Sequence, residues 1–265
     1  MPGITVASFN THVGTDGWGR PFDVAQVARE LDADVLVLQE VFTPRHGAGQ
    51  AGRIGEELAC SVVELPLATA WRRVDPNASG KGWEPSRLAP PGRKALVVDG
   101  QLGRRDPPAG FEEGTWGLAV LSRLPPVSYE TLHFGRLRRD ASLRAALVVR
   151  LSAPTAGARN LTVVGTHMGH LTRGSLLHFL ALRRALSALE GPAVLAGDMN
   201  LWGPPVQLLL GHWRRAAKGR TWPARRPHSQ LDHILVTPEV HVVAGDVVRA
   251  GGSDHLPVRA RLEWA

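Results

Sequence analysis

The chain has 265 residues, enough for one large α/β domain or two small ones with a sizeable core. Hydrophobic residues at 43% and charged residues at 21% argue against a disordered chain, and a single cysteine, Cys60, excludes an intramolecular disulfide and a multi-thiolate zinc site. The 31 Lys and Arg against 24 Asp and Glu leave a net +7, which either favours anionic partners such as nucleic acid, phospholipid head groups and phosphorylated metabolites or only keeps the surface solvated.

The first predicted element is a strand over residues 3–10, with Ile4 and Val6 on one face. Val24, Val27, Ala28 and Leu31 then follow helical spacing, with Asp23 and Gln26 as a capping pair at its start. A short apolar run, 35–38, ends in Gln39 and Glu40, and a second helix is predicted over 52–59. Cys60 reads as a small core residue and not as a nucleophile. Residues 75–115 are rich in Gly, Pro and Arg and read as long loops around one short strand, 95–98; loops of that length are often functional.

Further strands are predicted at 118–122, 145–151, 161–166, 193–196, 234–236, 240–248 and 257–262. A strong helix, 175–189, lies among them with Leu176, Phe179, Leu180, Leu182, Leu186 and Leu189 as its apolar set, and Pro204 and Pro205 open a short helix through Leu210. Many strands and few helices make a sheet-rich α/β chain with two sheets, taken as one domain over 1–265. No run of 18 apolar residues indicates a membrane span and no signal-peptide pattern opens the chain, so a cytoplasmic monomer is expected.

Several apolar strands end abruptly in polar residues: the first at Asn10, the next at Glu40, and later ones at His167 and at Asp198 with Asn200. Ligand sites of α/β proteins gather at the carboxyl ends of strands, where a rigid scaffold aims side chains at one point. Two more clusters, Asp232-His233 and Asp254-His255, lie near the C-terminus. Carboxylate and amide oxygens suit hard cations such as Mg²⁺ or Mn²⁺, and a His beside an Asp has its tautomer set for proton transfer. Taken singly, each residue also has a plain structural reading. Glu40 is then a surface residue after a strand, Asp198 and Asn200 shape a turn, His167 and His233 are hydrogen-bonded structural histidines, and Asp254 caps a turn.

Taken in order, the set resembles the endonuclease/exonuclease/phosphatase family. That superfamily holds pancreatic-type deoxyribonuclease, abasic-site endonucleases, inositol-polyphosphate phosphatases and neutral sphingomyelinases. The matching segments are 8–10, 38–41, 117–123, 165–167, 197–200, 231–234 and 252–257, almost the whole chain in family order. The Gly-Asp-x-Asn segment ending at Asn200 and the Ser-Asp-His segment ending at His255 are specific together. The resemblance implies a four-layered α/β sandwich with two central mixed sheets flanked by helices. It implies Mg²⁺ or Mn²⁺, with Ca²⁺ as a further candidate, on Glu40 with Asn10 and Asp254. It also implies that Asp198 orients or deprotonates the attacking water, that Asn200 and His167 bind phosphoryl oxygens, and that His255 paired with Asp232 holds the scissile phosphate or exchanges a proton with it. Arg144 stands where many members carry a phosphate-contacting Arg.

Two departures bear on the substrate. Leu118 stands where the family commonly has Asn, and His12 stands where abasic-site endonucleases carry a second acidic ligand. The extensions typical of phosphoinositide phosphatases are missing, which argues against an inositol lipid. Basic clusters occur at Arg104-Arg105, 136–139, 214–220 and Arg225-Arg226, the last two near Trp213 and Trp222, and the segment 213–226 is expected to form a loop beside the catalytic mouth that binds polyanions. Arg beside Trp suits phosphate backbones and stacked bases, or equally marks solvated loops around core tryptophans. The expected activity is a nuclease-like phosphodiesterase acting on an anionic phosphoester, nucleic acid included. Its rivals are a sphingomyelinase-like or small-molecule phosphoesterase and a non-catalytic polyanion-binding module of the same fold.

Overall fold

In the computed structural model, residues 3–75, 83–88, 109–135, 142–155, 157–170 and 175–264 are described. The expected strand at 95–98 and the basic clusters Arg104-Arg105 and 136–139 lie outside them. The elements are β1 (Ile4–Asn10), α1 (Val24–Leu31), β2 (Val35–Pro44), α2 (Gln50–Leu58), β3 (Ser61–Arg73), β4 (Trp83–Leu88) and β5 (Phe111–Ser122). They continue with β6 (Pro126–Gly135), β7 (Arg144–Leu151), β8 (Leu161–His167), α3 (Ser175–Ser187), β9 (Ala193–Asp198) and α4 (Gly203–Leu210). The last are β10 (Arg214–Arg215), β11 (Asp232–Val236), β12 (His241–Val247) and β13 (Val258–Glu263).

Among the described residues one sheet runs β12-β13-β1-β2-β5-β3-β4 and the other β10-β11-β9-β8-β7-β6. Both are mixed: β1 and β2 are parallel, as are β8 and β9, and the other neighbours are antiparallel. The two parallel pairs are those whose connections carry α1 and α3, because a parallel crossover needs a long return path that a helix supplies. The alternation of β1 sorts its side chains as expected. Ile4 and Val6 pack inward with Val37 and Val120 against Leu147, Val163, Val194 and Ile234 of the facing sheet. Ala7 and Phe9 point the other way, against Val27, Leu31 and Ile54 of α1 and α2. On the far side, Phe179 and Leu182 of α3 and Val206 of α4 cover Val164 and Leu195. Helices, sheet, sheet and helices therefore form the four-layered α/β sandwich.

All four expected apolar positions of α1 are buried, and Asp23 caps the helix by accepting from the Gln26 backbone N–H at 3.1 Å. The Gln26 side chain turns to Glu30 instead, one helical turn on. Two expectations for α3 are corrected. The helix ends at Ser187, and Leu176 and Leu180 are 55% and 46% exposed, while Phe179, Leu182 and Leu186 are buried. Spacings of three and four residues keep those last positions on one stripe, and Leu176 and Leu180 fall outside it. The stretch 75–115 also holds more sheet than expected, since β4 and the first residues of β5 lie within it and pair with β3. β3, β4, β6 and β10 were not predicted at all. The burial along β6 barely alternates, leaving no period to read. Among the described residues no helix is long and apolar enough to cross a membrane.

Candidate active site

The sheet register explains why residues distant in sequence meet. His167 at the end of β8 lies opposite Asp198 at the end of parallel β9, and Asp232 at the start of antiparallel β11 lies opposite Asp198 on the other side. Asn10 ends β1 in the facing sheet, beside Gln39 of β2. The loop carrying Ser253, Asp254 and His255 precedes β13, which pairs with β1, and Ser253 Oγ donates to the Asn10 carbonyl at 2.7 Å.

Glu40 enters the site through a β-bulge. Gln39 pairs with Leu118 and Val41 with Gly117, so Glu40 is the extra residue between them, at φ +56°. A left-handed backbone at a non-glycine residue stores strain, and a bulge re-aims a side chain. Here it brings Glu40 Oε1 within 3.2 Å of Asn10 Nδ2, which also donates to Asp198 Oδ2 at 3.1 Å. Asn200 is the second left-handed non-glycine residue here, at φ +49°, and its backbone N–H donates to Asp198 Oδ1 at 2.8 Å. The turn expected of this pair is thus present and also fixes the Asp198 carboxylate. Gly197 is required by space: a Cβ there would lie 1.9 Å from the Thr166 carbonyl oxygen, at φ +153°.

Asp198 is the centre of the cluster. Its Oδ2 lies 3.5 Å from His167 Nε2 and 3.8 Å from His255 Nε2. His255 Nδ1 lies 2.9 Å from Asp232 Oδ2, and Asn200 Nδ2 lies 3.2 Å from His167 Nε2. Arg144 donates from Nη1 to the His167 carbonyl at 3.2 Å and stands over the ring of Trp116, itself 5.5 Å from the His167 imidazole. Eight of the nine expected residues, namely Asn10, Glu40, Arg144, His167, Asp198, Asn200, Asp232 and His255, thus form one buried, connected group. Asp254 is set to one side. Its carboxylate, 28% exposed, faces Trp222 Nε1 at 3.4 Å and His12 Nδ1 at 3.8 Å, and it has no hydrogen bond or ion pair with Glu40 or Asn10 among the described residues.

The electrostatics separate the two histidines. Burial, with Arg144 and His255 nearby, holds His167 well below the usual imidazole range, so it is neutral. Burial also opposes a charge on His255, but the carboxylates of Asp232 and Asp198 outweigh it and lift its pKa to about 10. Burial raises Asp198, with Asp232 adding to the shift, while His255 and the donors Asn200 and Asn10 work against it. His233 is a structural histidine: its Nε2 faces the carbonyls of Leu201 and Gln230 at 3.0 and 3.2 Å.

Oxygen ligands for a cation are available in two adjoining places. Asp198, Asp232 and His255 offer atoms that all lie within 4.8 Å of one another, though His255 Nδ1 is already used on Asp232. Glu40 Oε2 is buried and has no hydrogen-bond partner among the described residues. An ionised carboxylate oxygen out of water needs a positive partner, and carboxylate with amide oxygen is the donor set of Mg²⁺ or Mn²⁺. The residues present therefore fit such an ion.

One neighbour was not singled out as part of the site in the sequence. Trp116 packs beside His167, and only its nearness to the 117–123 segment could have marked it; Trp222, from the segment expected at the mouth, packs beside His255. The basic segment 213–226 divides. Trp213 is buried, Arg214 donates to the Val240 carbonyl and Arg215 to Gln230, so this part is sheet edge and not a loop at the mouth. Residues 221–224 are fastened to the site instead, by Leu256 N–H to the Thr221 carbonyl and Ala224 N–H to the Asp254 carbonyl. Leu118 packs among Phe42, Leu67 and Trp116, filling with apolar contact the place where a polar side chain was expected. Cys60 is half-buried and burial raises its thiol pKa, as fits a residue without a nucleophilic role.

Comparison with known proteins returned one family model, that of the Endonuclease/Exonuclease/phosphatase family, matching residues 7–255. No curated protein matched. Among solved structures, an endonuclease/exonuclease/phosphatase from Beutenbergia cavernae DSM 12333 is 22% identical with a TM-score of 0.66, covering 100% of this chain and 72% of its own. The human Nocturnin catalytic domain with bound sulfate anion is 17% identical with a TM-score of 0.63, covering 100% and 95%. The 3′ phosphatase NExo from Neisseria bound to a product DNA hairpin is 18% identical with a TM-score of 0.57, covering 98% and 100%. At these identities the structures share the fold, and the model match over nearly the whole chain places this protein in the endonuclease/exonuclease/phosphatase family.

Proposed function

We propose that this chain is a divalent-metal-dependent phosphodiesterase of nuclease-like type, cleaving a phosphoester by in-line attack of water. The observation that supports it best is the position of Asp198, whose Oδ2 is approached by Asn10, His167 and His255 at 3.1–3.8 Å beside the unpartnered Glu40 Oε2. Phosphoryl oxygens repel a nucleophile, and positioned positive charge and donors overcome that repulsion. A Mg²⁺ or Mn²⁺ ion held by Glu40 with Asn10, and with Asp254 if that carboxylate turns inward, would supply Lewis-acid charge at the phosphate. Asp198, raised by burial, takes the proton of the attacking water. Neutral His167 and the Asn200 amide, which bond each other at 3.2 Å, exchange that contact for the non-bridging oxygens when a phosphate enters. His255, held in position by Asp232 and charged at neutral pH, gives a proton to the leaving oxygen or balances its charge. Arg144 acts through His167, whose carbonyl it holds.

A panel of plasmid, single-stranded DNA, RNA, bis-p-nitrophenyl phosphate, p-nitrophenyl phosphate and sphingomyelin, each with Mg²⁺, Mn²⁺ and Ca²⁺, tests this reading. Metal-dependent cleavage of the diesters is expected. Turnover of monoesters alone would move the chain to the phosphatases, turnover of sphingomyelin alone to the lipid enzymes, and none at all to a binding module. The solved relatives include a mannosyl-6-phosphatase from Bacteroides thetaiotaomicron as well as the DNA-bound 3′ phosphatase, both phosphatases, so the monoester arm is the direct rival to the diesters.

A further inference from the structure

Beyond the phosphate centre, a cleft of about 740 Å³ opens against Ser253 and Asp254 and is lined by Trp18, Arg20, Arg225 and Arg226. Its conspicuous member is Trp18, 61% exposed on the loop between β1 and α1. A tryptophan left in water forgoes a large burial gain, and in a cleft its flat indole is open to a ligand. The loop holds it firmly. Asp16 accepts from the backbone N–H of Trp18 and of Arg20, each at 2.9 Å, and from Arg20 Nε at 2.7 Å. Two guanidinium groups lie over the ring, Arg20 at 5.0 Å and Arg225 at 5.5 Å from its centroid, so a base that stacks there takes the place of one of them. Arg20 is neutralised by Asp16, whereas Arg225 has no carboxylate partner among the described residues.

This surface is continuous with the site. A Cβ at Gly17, the residue before Trp18, would lie 3.4 Å from Asp254 Cβ. On the other wall, Ala224 N–H donates to the Asp254 carbonyl at 2.7 Å and places Arg225 next to it. Trp18 and Arg20 also line a second cleft of about 690 Å³ with Arg53, Arg72 and Arg73, of which Arg72 is paired with Glu112. A flat indole, an uncompensated guanidinium and further cationic side chains leading away match a nucleic acid: a base stacks on the ring while its phosphates meet the arginines. A choline head group can also lie on an indole face but would meet Arg20 and Arg225 there as like charges, and a sugar ring can stack on it too, so the choice between base and sugar falls to a comparison with an abasic oligomer.

We propose that Trp18, with Arg225 beside it, is a stacking subsite for a nucleobase attached to the phosphate in the active site, so that the substrate is a single-stranded or frayed nucleic acid. The assignment rests on the phosphoesterase reading only for that phosphate. Arg225 supplies charge to the backbone next to the stacked base, and the hydrogen-bonded turn around Asp16 keeps the indole in place before the ligand arrives. No base-edge donors are needed, so discrimination among the four bases is weak.

The test measures fluorescence anisotropy of a mixed-sequence single-stranded oligodeoxynucleotide and of an abasic oligomer of the same length, both with chelator so that no turnover intervenes. The parent protein binds the base-bearing oligomer about 5- to 150-fold more tightly, the range expected of one base stacked on an aromatic side chain. Trp18→Ala brings the two affinities together, and Trp18→Phe keeps most of the difference; the exposed position leaves no cavity in either variant. Equal affinities in the parent, or a Trp18→Ala variant that keeps the difference, would overturn the proposal. Turnover of bis-p-nitrophenyl phosphate with Mg²⁺ or Mn²⁺ is measured on the same preparations. Base discrimination without any turnover sustains the subsite and removes the phosphoesterase reading, and turnover without discrimination does the reverse.

Discussion

His255 Nδ1 lies 2.9 Å from Asp232 Oδ2, a contact across 23 positions of sequence between two buried side chains. The carboxylate fixes which nitrogen points outward, and Nε2 is left facing Asp198. With two carboxylates around it, the imidazole keeps its proton up to about pH 10.

Asp232→Asn should therefore lower the His255 pKa and move the alkaline limb of the kcat profile, set near pH 10 in the parent, to lower pH. Turnover at neutral pH should fall by about 10²-fold or more, the scale for a positioned acid–base group. The checks are a pH series on a diester substrate and the His255 ring titration by NMR. An alkaline limb that stays in place would remove Asp232 from this role.

Glu40→Gln keeps the shape and the bulge but removes the charge behind the unpartnered Oε2. Mg²⁺ or Mn²⁺ affinity by calorimetry should drop markedly while the melting temperature in chelator stays equal or rises, because an uncompensated buried charge is gone. Metal affinity equal to the parent's would take Glu40 out of the ligand set.

Asp198 and His255, 3.8 Å apart, should act as a unit. Asp198→Asn and His255→Ala should each lose about 10²- to 10⁴-fold in turnover with much smaller changes in substrate binding. The double variant should be little worse than the poorer single one, since groups serving one step are non-additive. Losses that multiply would mean independent roles.

Stability should depend on pH through His233. Burial holds its pKa at about 4, against about 6.5 in an unfolded chain. Between those values the unfolded chain binds more protons, so the contribution is full above about pH 6.5 and fades as pH falls toward about 4. The loss is about 3 kcal/mol, and His167, also depressed, adds in the same direction. Urea midpoints taken with chelator from pH 7 to pH 4 should fall less steeply in His233→Gln than in the parent. Parallel curves would show that His233 is not held neutral.

Much of this protein was legible along the chain. The alternation in β1, the heptad-like spacing in α1, the strand-terminal Asn10, His167 and Asp198, and the Asp-His pairs are local patterns, because the period of a strand or helix is set by backbone geometry within a few residues. Other features depend on partners far away in sequence. β3 and the first half of β5 are recognised as strands only once they pair, and the bulge that turns Glu40 into the site exists only against Leu118 and Gly117 of β5. Arg214 and Arg225 look alike in a list of basic residues; one is fastened at a sheet edge and the other stands beside Trp18, a difference made by the strands and loops packed around them. Side-chain chemistry is written residue by residue, but distances between residues 10, 40, 198 and 255 are decided by strand register and by how two sheets face each other. Those are set by burial of both inner faces together, and no short stretch of the chain contains them.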